Sequence, residues 1–135
     1  NCSGVWESEV DAYLAKEFPK AFENYQEYCK SNMKEFLLGT SCISECNGKY
    51  IVSILASVGY GKNSDSTYYV LAKTIHGFGH GLYSVLHRYG KVPGDVYSVK
   101  LGEGDFKVPW AYTYTPMARL IMQTPGLNWH LCEGV

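Results

Sequence analysis

The stretch from Leu71 to Gly90 constrains this chain more than any other. Leu71, Ile75, Phe78, Leu82, Val85, Leu86 and Tyr89 recur at spacings of three and four, and Gly90 closes the run. That pattern predicts one long helix with an apolar face on a core. On a wheel of ~100° per residue, His76, His80, Tyr83 and His87 fall in one narrow stripe on roughly the opposite side. Glycines at 77, 79 and 81 interleave with the histidines, each weakening a helix by roughly 1 kcal/mol relative to alanine. Gly77 and Gly81 share one flank of the stripe, a clearance through which a ligand or a second backbone can approach.

Rise along the helix divides the stripe. His76 and His80 are about 6 Å apart along the axis, a spacing that chelates one metal ion, whereas His87 lies about 10.5 Å further on. Position 77 is glycine, so the glutamate of a HExxH zinc-protease helix is absent. A third ligand then comes from elsewhere: His130, Glu45, Glu103, Asp105 or Glu133. The expectation is a transition-metal site, zinc or copper, held by His76, His80 and His130. A metal-free variant uses His76 and His80 as base and acid, with Tyr83 donating a proton and Lys73 or Arg88 steadying an anion. Either version gives a metal-assisted or histidine acid/base hydrolase or lyase, with His76, His80 and Tyr83 catalytic. The alternative is a non-catalytic small-ligand-binding or protein-interaction module whose His/Gly helix serves packing only. No GxSxG elbow and no CxxCH haem motif is present.

Five cysteines, Cys2, Cys29, Cys42, Cys46 and Cys132, are many for a cytosolic chain of 135 residues. They read as two disulfides and one odd thiol in a secreted or lumenal glycoprotein, with Asn1-Cys2-Ser3 as a glycosylation sequon. The odd thiol implies an intermolecular bond, or a processed or truncated piece of a longer chain. The Cys42-x3-Cys46 step with Cys29 upstream resembles the insect odorant-binding proteins. Those carry three further cysteines in their second half, where this chain has Cys132 alone, so that family is set aside.

The remaining readings follow from pattern. Residues 5–18 and 20–38 have helical spacing, broken at Pro19 and stopped at Gly39. Cys42 and Cys46 sit on a short helical turn, Asn47-Gly48 is a turn, and 49–58 reads as a buried helix or strand, which periodicity does not separate, with helix preferred. Residues 61–66 form a loop. Residues 96–108 alternate around "GEGD" and read as a β-hairpin. "PWAYTYTPM" (109–117) reads as an edge strand or loop in preference to the aromatic lining of a ligand cavity, a last helix runs from Thr115-Pro116 to about Gln123, and "TPGLNWHLCEGV" adds one more turn. The fold class expected is mainly α: a single disulfide-stapled domain, 1–135, of four to six helices with one short hairpin near 96–108. Net charge is −1, with twelve basic and thirteen acidic residues and no basic stripe, which argues against nucleic acid. No apolar run reaches the ~20 residues of a membrane span. Partners are therefore a small molecule or another protein.

Overall fold

The computed structural model describes residues 9–57, 67–90, 94–101 and 108–132. Five helices and four strands follow in the order α1 (Glu9–Glu17), α2 (Pro19–Ser31), α3 (Lys34–Leu37), β1 (Ser41–Cys46), β2 (Lys49–Ile54), α4 (Thr67–Tyr89), β3 (Asp95–Ser98), α5 (Trp110–Met122) and β4 (Asn128–Leu131). The chain is α/β, not mainly α.

Pro19 opens α2, where its missing N–H costs nothing. The helical pattern of 20–38 divides at Asn32, whose backbone is extended (φ −133°, ψ 150°). Gly39 then takes φ +79° and turns the chain into β1.

The largest departure from expectation is β1–β2. The first segment was expected to be a helical turn and the second a buried helix in preference to a strand, and they form an antiparallel hairpin pairing Ser41 with Ile54 through Cys46 with Lys49. Asn47 (φ 52°) and Gly48 (φ 79°) make a two-residue turn with both residues left-handed, the conformation that matches strand twist. Cross-strand partners share a face. Thr40, Cys42, Ser44 and Leu55 face α2, where Tyr25, Leu37, Cys42 and Leu55 form one core cluster and Asn24 donates to the Ser44 hydroxyl at 3.1 Å. Ser41, Ile43, Val52 and Ile54 face α4. The hairpin is thus the middle layer of an α/β/α sandwich. With a helix packed on each face, the strands lose polar–apolar alternation, which is why "YIVSIL" reads equally as helix.

The expected 96–108 hairpin is replaced by a parallel pair. β3 pairs with β4, from Asp95–Asn128 to Ser98–Leu131, and α5 runs between them. Residues 102–107 lie outside the described residues. α5 begins at Trp110, so "PWAYTYTPM" is mostly helix, and the last segment, expected to be a further turn, is β4. Phe78, Met117, Ile121 and Leu127 form a second cluster, packed by Ile54 from β2 and by Val96 and Trp129 from β3–β4.

The cysteines do not staple this fold. Cys29, Cys42, Cys46 and Cys132 are not joined in disulfides, and Cys2 lies outside the described residues. The expectation of a secreted, disulfide-bonded chain loses the observation it rested on. Among the described residues no helix is long and apolar enough to cross a membrane.

Candidate functional site

The histidine stripe is real, but its members go separate ways. His76 donates from Nδ1 to the Gly39 carbonyl at 2.6 Å. His80 Nδ1 accepts the Ser41 backbone N–H at 3.2 Å and lies 2.9 Å from the Ser41 hydroxyl. An accepting Nδ1 is unprotonated, so the neutral ring carries its proton on Nε2. Burial lowers the proton affinity of His80, and the charges of Arg88 and His76 lower it further. Both imidazoles therefore tie α4 to the chain entering β1.

The glycines provide room for that docking. A Cβ on Gly77 would stand 2.5 Å from Ile54 Cγ2 and 3.1 Å from the Thr40 carbonyl oxygen. One on Gly81 would stand 2.7 Å from Val52 Cγ1. The hairpin fills the clearance beside the histidines.

Tyr83 is exposed and stacks on His87, with ring centroids 3.9 Å apart. His130 sits on β4, bonded through Nε2 to Asp95 Oδ1 at 2.8 Å and stacked on Tyr97. Among the described residues no group of three or more histidines, cysteines or carboxylates gathers as a metal would need. The metal-centred reading is corrected accordingly: His76 and His80 hold backbone, and His130 is engaged with Asp95. Glu103, Asp105 and Glu133 lie outside the described residues. Burial pushes the Cys42 thiol up from its ordinary value, and Cys29 adds to this, while a hydrogen bond with Ser44 and the charge of Arg88 oppose it. Cys42 is a core thiol.

A different place in the fold gathers the features a ligand site needs. β2 leads through buried Leu55, Ala56 and Ser57 into residues 58–66 and then α4. β3 leads through 99–101 into residues 102–107 and then α5. Ala56, Val70 and Val108, which flank these two connectors, pack together as a third buried cluster. The fold therefore brings the entry and exit of the first connector together with the exit of the second. In sequence each is a glycine-bearing strand-to-helix link, "VGYGKNSDS" and "GEGDFK". Beside them Trp110 opens α5 and meets Trp129 and Tyr114 edge-on, with centroids 5.8 and 6.0 Å away. Sequence reasoning had the glycines in view but read one connector as a capped loop and the other as a hairpin tip. The signal was the repetition of an apolar strand, a glycine-bearing link and a helix.

No protein-family model and no curated protein matches the chain. Solved structures do. The macrodomain of Mycobacterium tuberculosis DarG aligns over 97% of this chain and 82% of its own, at 18% identity and a TM-score of 0.79. The macrodomain of Thermus aquaticus DarG aligns over 99% of this chain and 85% of its own, at 16% identity and a TM-score of 0.71. The fold is therefore macrodomain-like α/β, and this overturns the expected mainly α class and the metal hydrolase or lyase built upon it.

Proposed function

We propose that this chain is a small-molecule-binding domain whose ligand is a phosphate-bearing nucleotide of the ADP-ribose type, held near the buried cluster of Ala56, Val70 and Val108 that flanks the two connectors. The observation that carries the reading is the likeness to the DarG macrodomains over 97% of the chain, since macrodomains take small molecules such as ADP-ribose.

The arrangement of elements supports the same place. Ligands of open α/β sheets sit beyond the carboxyl ends of strands, and both connectors leave β2 and β3 there. Gly59, Gly61, Gly102 and Gly104 bring backbone N–H groups without side chains, which suits close approach to phosphate. α4 and α5 start directly after the connectors, so their positive N-terminal ends favour an anion. The half-buried Trp110, at the start of α5, supplies an indole ring whose apolar face suits a purine.

Calorimetric titration of the full chain with ADP-ribose tests this. Saturable binding is expected, weakened more than about tenfold by Gly104→Val with the unfolding curve unchanged, and far weaker for phosphate-free adenosine. No heat on titration to about 1 mM ADP-ribose with folded protein sinks the reading.

A further inference from the structure

Strand β1 has one edge bonded to β2 and one edge that is not. Leu55 N–H donates to the Thr40 carbonyl at 3.0 Å, so alternation turns Thr40, Cys42, Ser44 and Cys46 toward β2 and Ser41, Ile43 and Glu45 away from it. His80 takes the outward N–H of Ser41. Glu45 is exposed and carries a charge, a usual way to blunt an edge. Ile43, between them, has no backbone partner on its outward side among the described residues.

A cleft of about 320 Å³ opens along this edge. Ser41 to Ile43 form its floor, and Asn24 and Ser31 of α2, with Asn32 just beyond the helix, line one wall. Arg88, in the last turn of α4, lies at its border. Glu27 also lines the cleft, with its carboxylate taken by the Ser31 hydroxyl at 3.0 Å. Asn32 uses its side-chain N–H on the Tyr28 carbonyl, which leaves its amide oxygen as an acceptor. Arg88 is exposed and makes no ion pair among the described residues. Arg88 lines the same cleft as Ser41, Cys42 and Ile43.

We propose that this cleft binds an extended peptide segment bearing a carboxylate. The peptide backbone pairs with Ile43 as an added strand, and Arg88 takes the carboxylate. Two features favour a peptide over a free anion. A donor and an acceptor on one residue, both facing outward, match the repeat of another main chain. The wall of amides and hydroxyls meets amide groups better than apolar ones, while Arg88 adds a planar fork for a carboxylate. This place involves β1 and α2, apart from the connectors that serve the nucleotide.

The test uses an acetylated, amidated seven-residue peptide of alternating threonine and valine with one central aspartate, and its asparagine counterpart. Each is titrated into the isotope-labelled full chain. The Ile43 amide resonance is expected to shift and its hydrogen exchange to slow. Affinity is expected to fall about tenfold for the asparagine peptide and for Arg88→Gln, with the variant no longer distinguishing the two peptides. Arg88 is exposed at a helix end, so the variant's unfolding curve serves as the check on its fold. Binding that leaves Ile43 exchange unchanged, binding indifferent to Arg88, or an equal shift with acetate alone overturns the proposal. So does a failure to saturate at millimolar peptide.

Discussion

The β1–β2 hairpin is covered on one face by α2 and on the other by α4, whereas β3–β4 buries Val96 and Trp129 on one face and leaves Tyr97 and His130 in solvent on the other. The difference sets how each pair is held. A strand pair with two covered faces must fit a helix at close range, so α4 carries glycines where the hairpin meets it. A pair with one open face has to be tied there by local contacts. Here these are the 2.8 Å bond between His130 and Asp95 and the stacking of Tyr97 on His130.

Truncation tests the contrast most strongly. Leu55 is fully buried between the hairpin and α2. Leu55→Ala should lower unfolding free energy by about 3 kcal/mol in urea denaturation. Tyr97, 69% exposed, should lose less than about 1 kcal/mol as Tyr97→Ala, the worth of one aromatic pair. Equal losses would mean that the open face is covered in solution.

Glycine substitution within α4 sharpens the contrast, because its sign should change with position. Gly77→Ala gains roughly 1 kcal/mol of helix propensity but drives a methyl group against Ile54 and the Thr40 carbonyl. Overpacking costs of about 1–3 kcal/mol should leave it net destabilised by about 1 kcal/mol or more. A Cβ on Gly79 meets Leu120 at 3.7 Å, an ordinary contact, so Gly79→Ala should be stabilising by about 0.5–1 kcal/mol. If both variants shift the urea midpoint in the same direction, the hairpin does not press on α4 as described. On α5, the Thr113 hydroxyl is buried with no hydrogen-bond partner among the described residues. Thr113→Val should raise stability by about 1 kcal/mol, read from the same midpoint.

What the sequence disclosed follows the same division. β3 was visible as alternation because one face meets solvent, although its partner β4, 33 positions on from Asp95 to Asn128, left no local mark. α4 was visible because its apolar positions keep strict helical spacing. The hairpin was not, since a helix packs on each of its faces and neither "SCISEC" nor "YIVSIL" carries a polar–apolar alternation. Asn47-Gly48 was the surviving signal, and a turn of that type joins strands more readily than helices. The stripe of His76 and His80 was placed correctly on the helix. Its role was not legible, because the Gly39 carbonyl and the Ser41 N–H that bind the two rings come from residues 37 and 39 positions away. The connector site was hidden for a related reason: Ala56, Val70 and Val108 meet only once the fold is formed.

The smallest effect expected is a dependence on pH at the α4–hairpin contact. His80 binds a proton less readily in the folded chain than at the ordinary histidine value of 6.5, first through burial, then through Arg88 and His76. A proton on Nδ1 would also displace the Ser41 N–H that now points at it. Between the folded and ordinary values the unfolded chain therefore holds more protons, and stability rises with pH across that window. The contribution of His80 is complete above 6.5 and is lost as pH falls through the folded value. Arg88→Gln removes one cause and should narrow the window, while His80→Gln should remove this part of the slope. Urea midpoints measured from about pH 7 down to about pH 5 provide the comparison. Superimposable curves for the parent chain and His80→Gln would show that the ring is not held to Ser41, and with that the hairpin would lose its tie to α4 at this point.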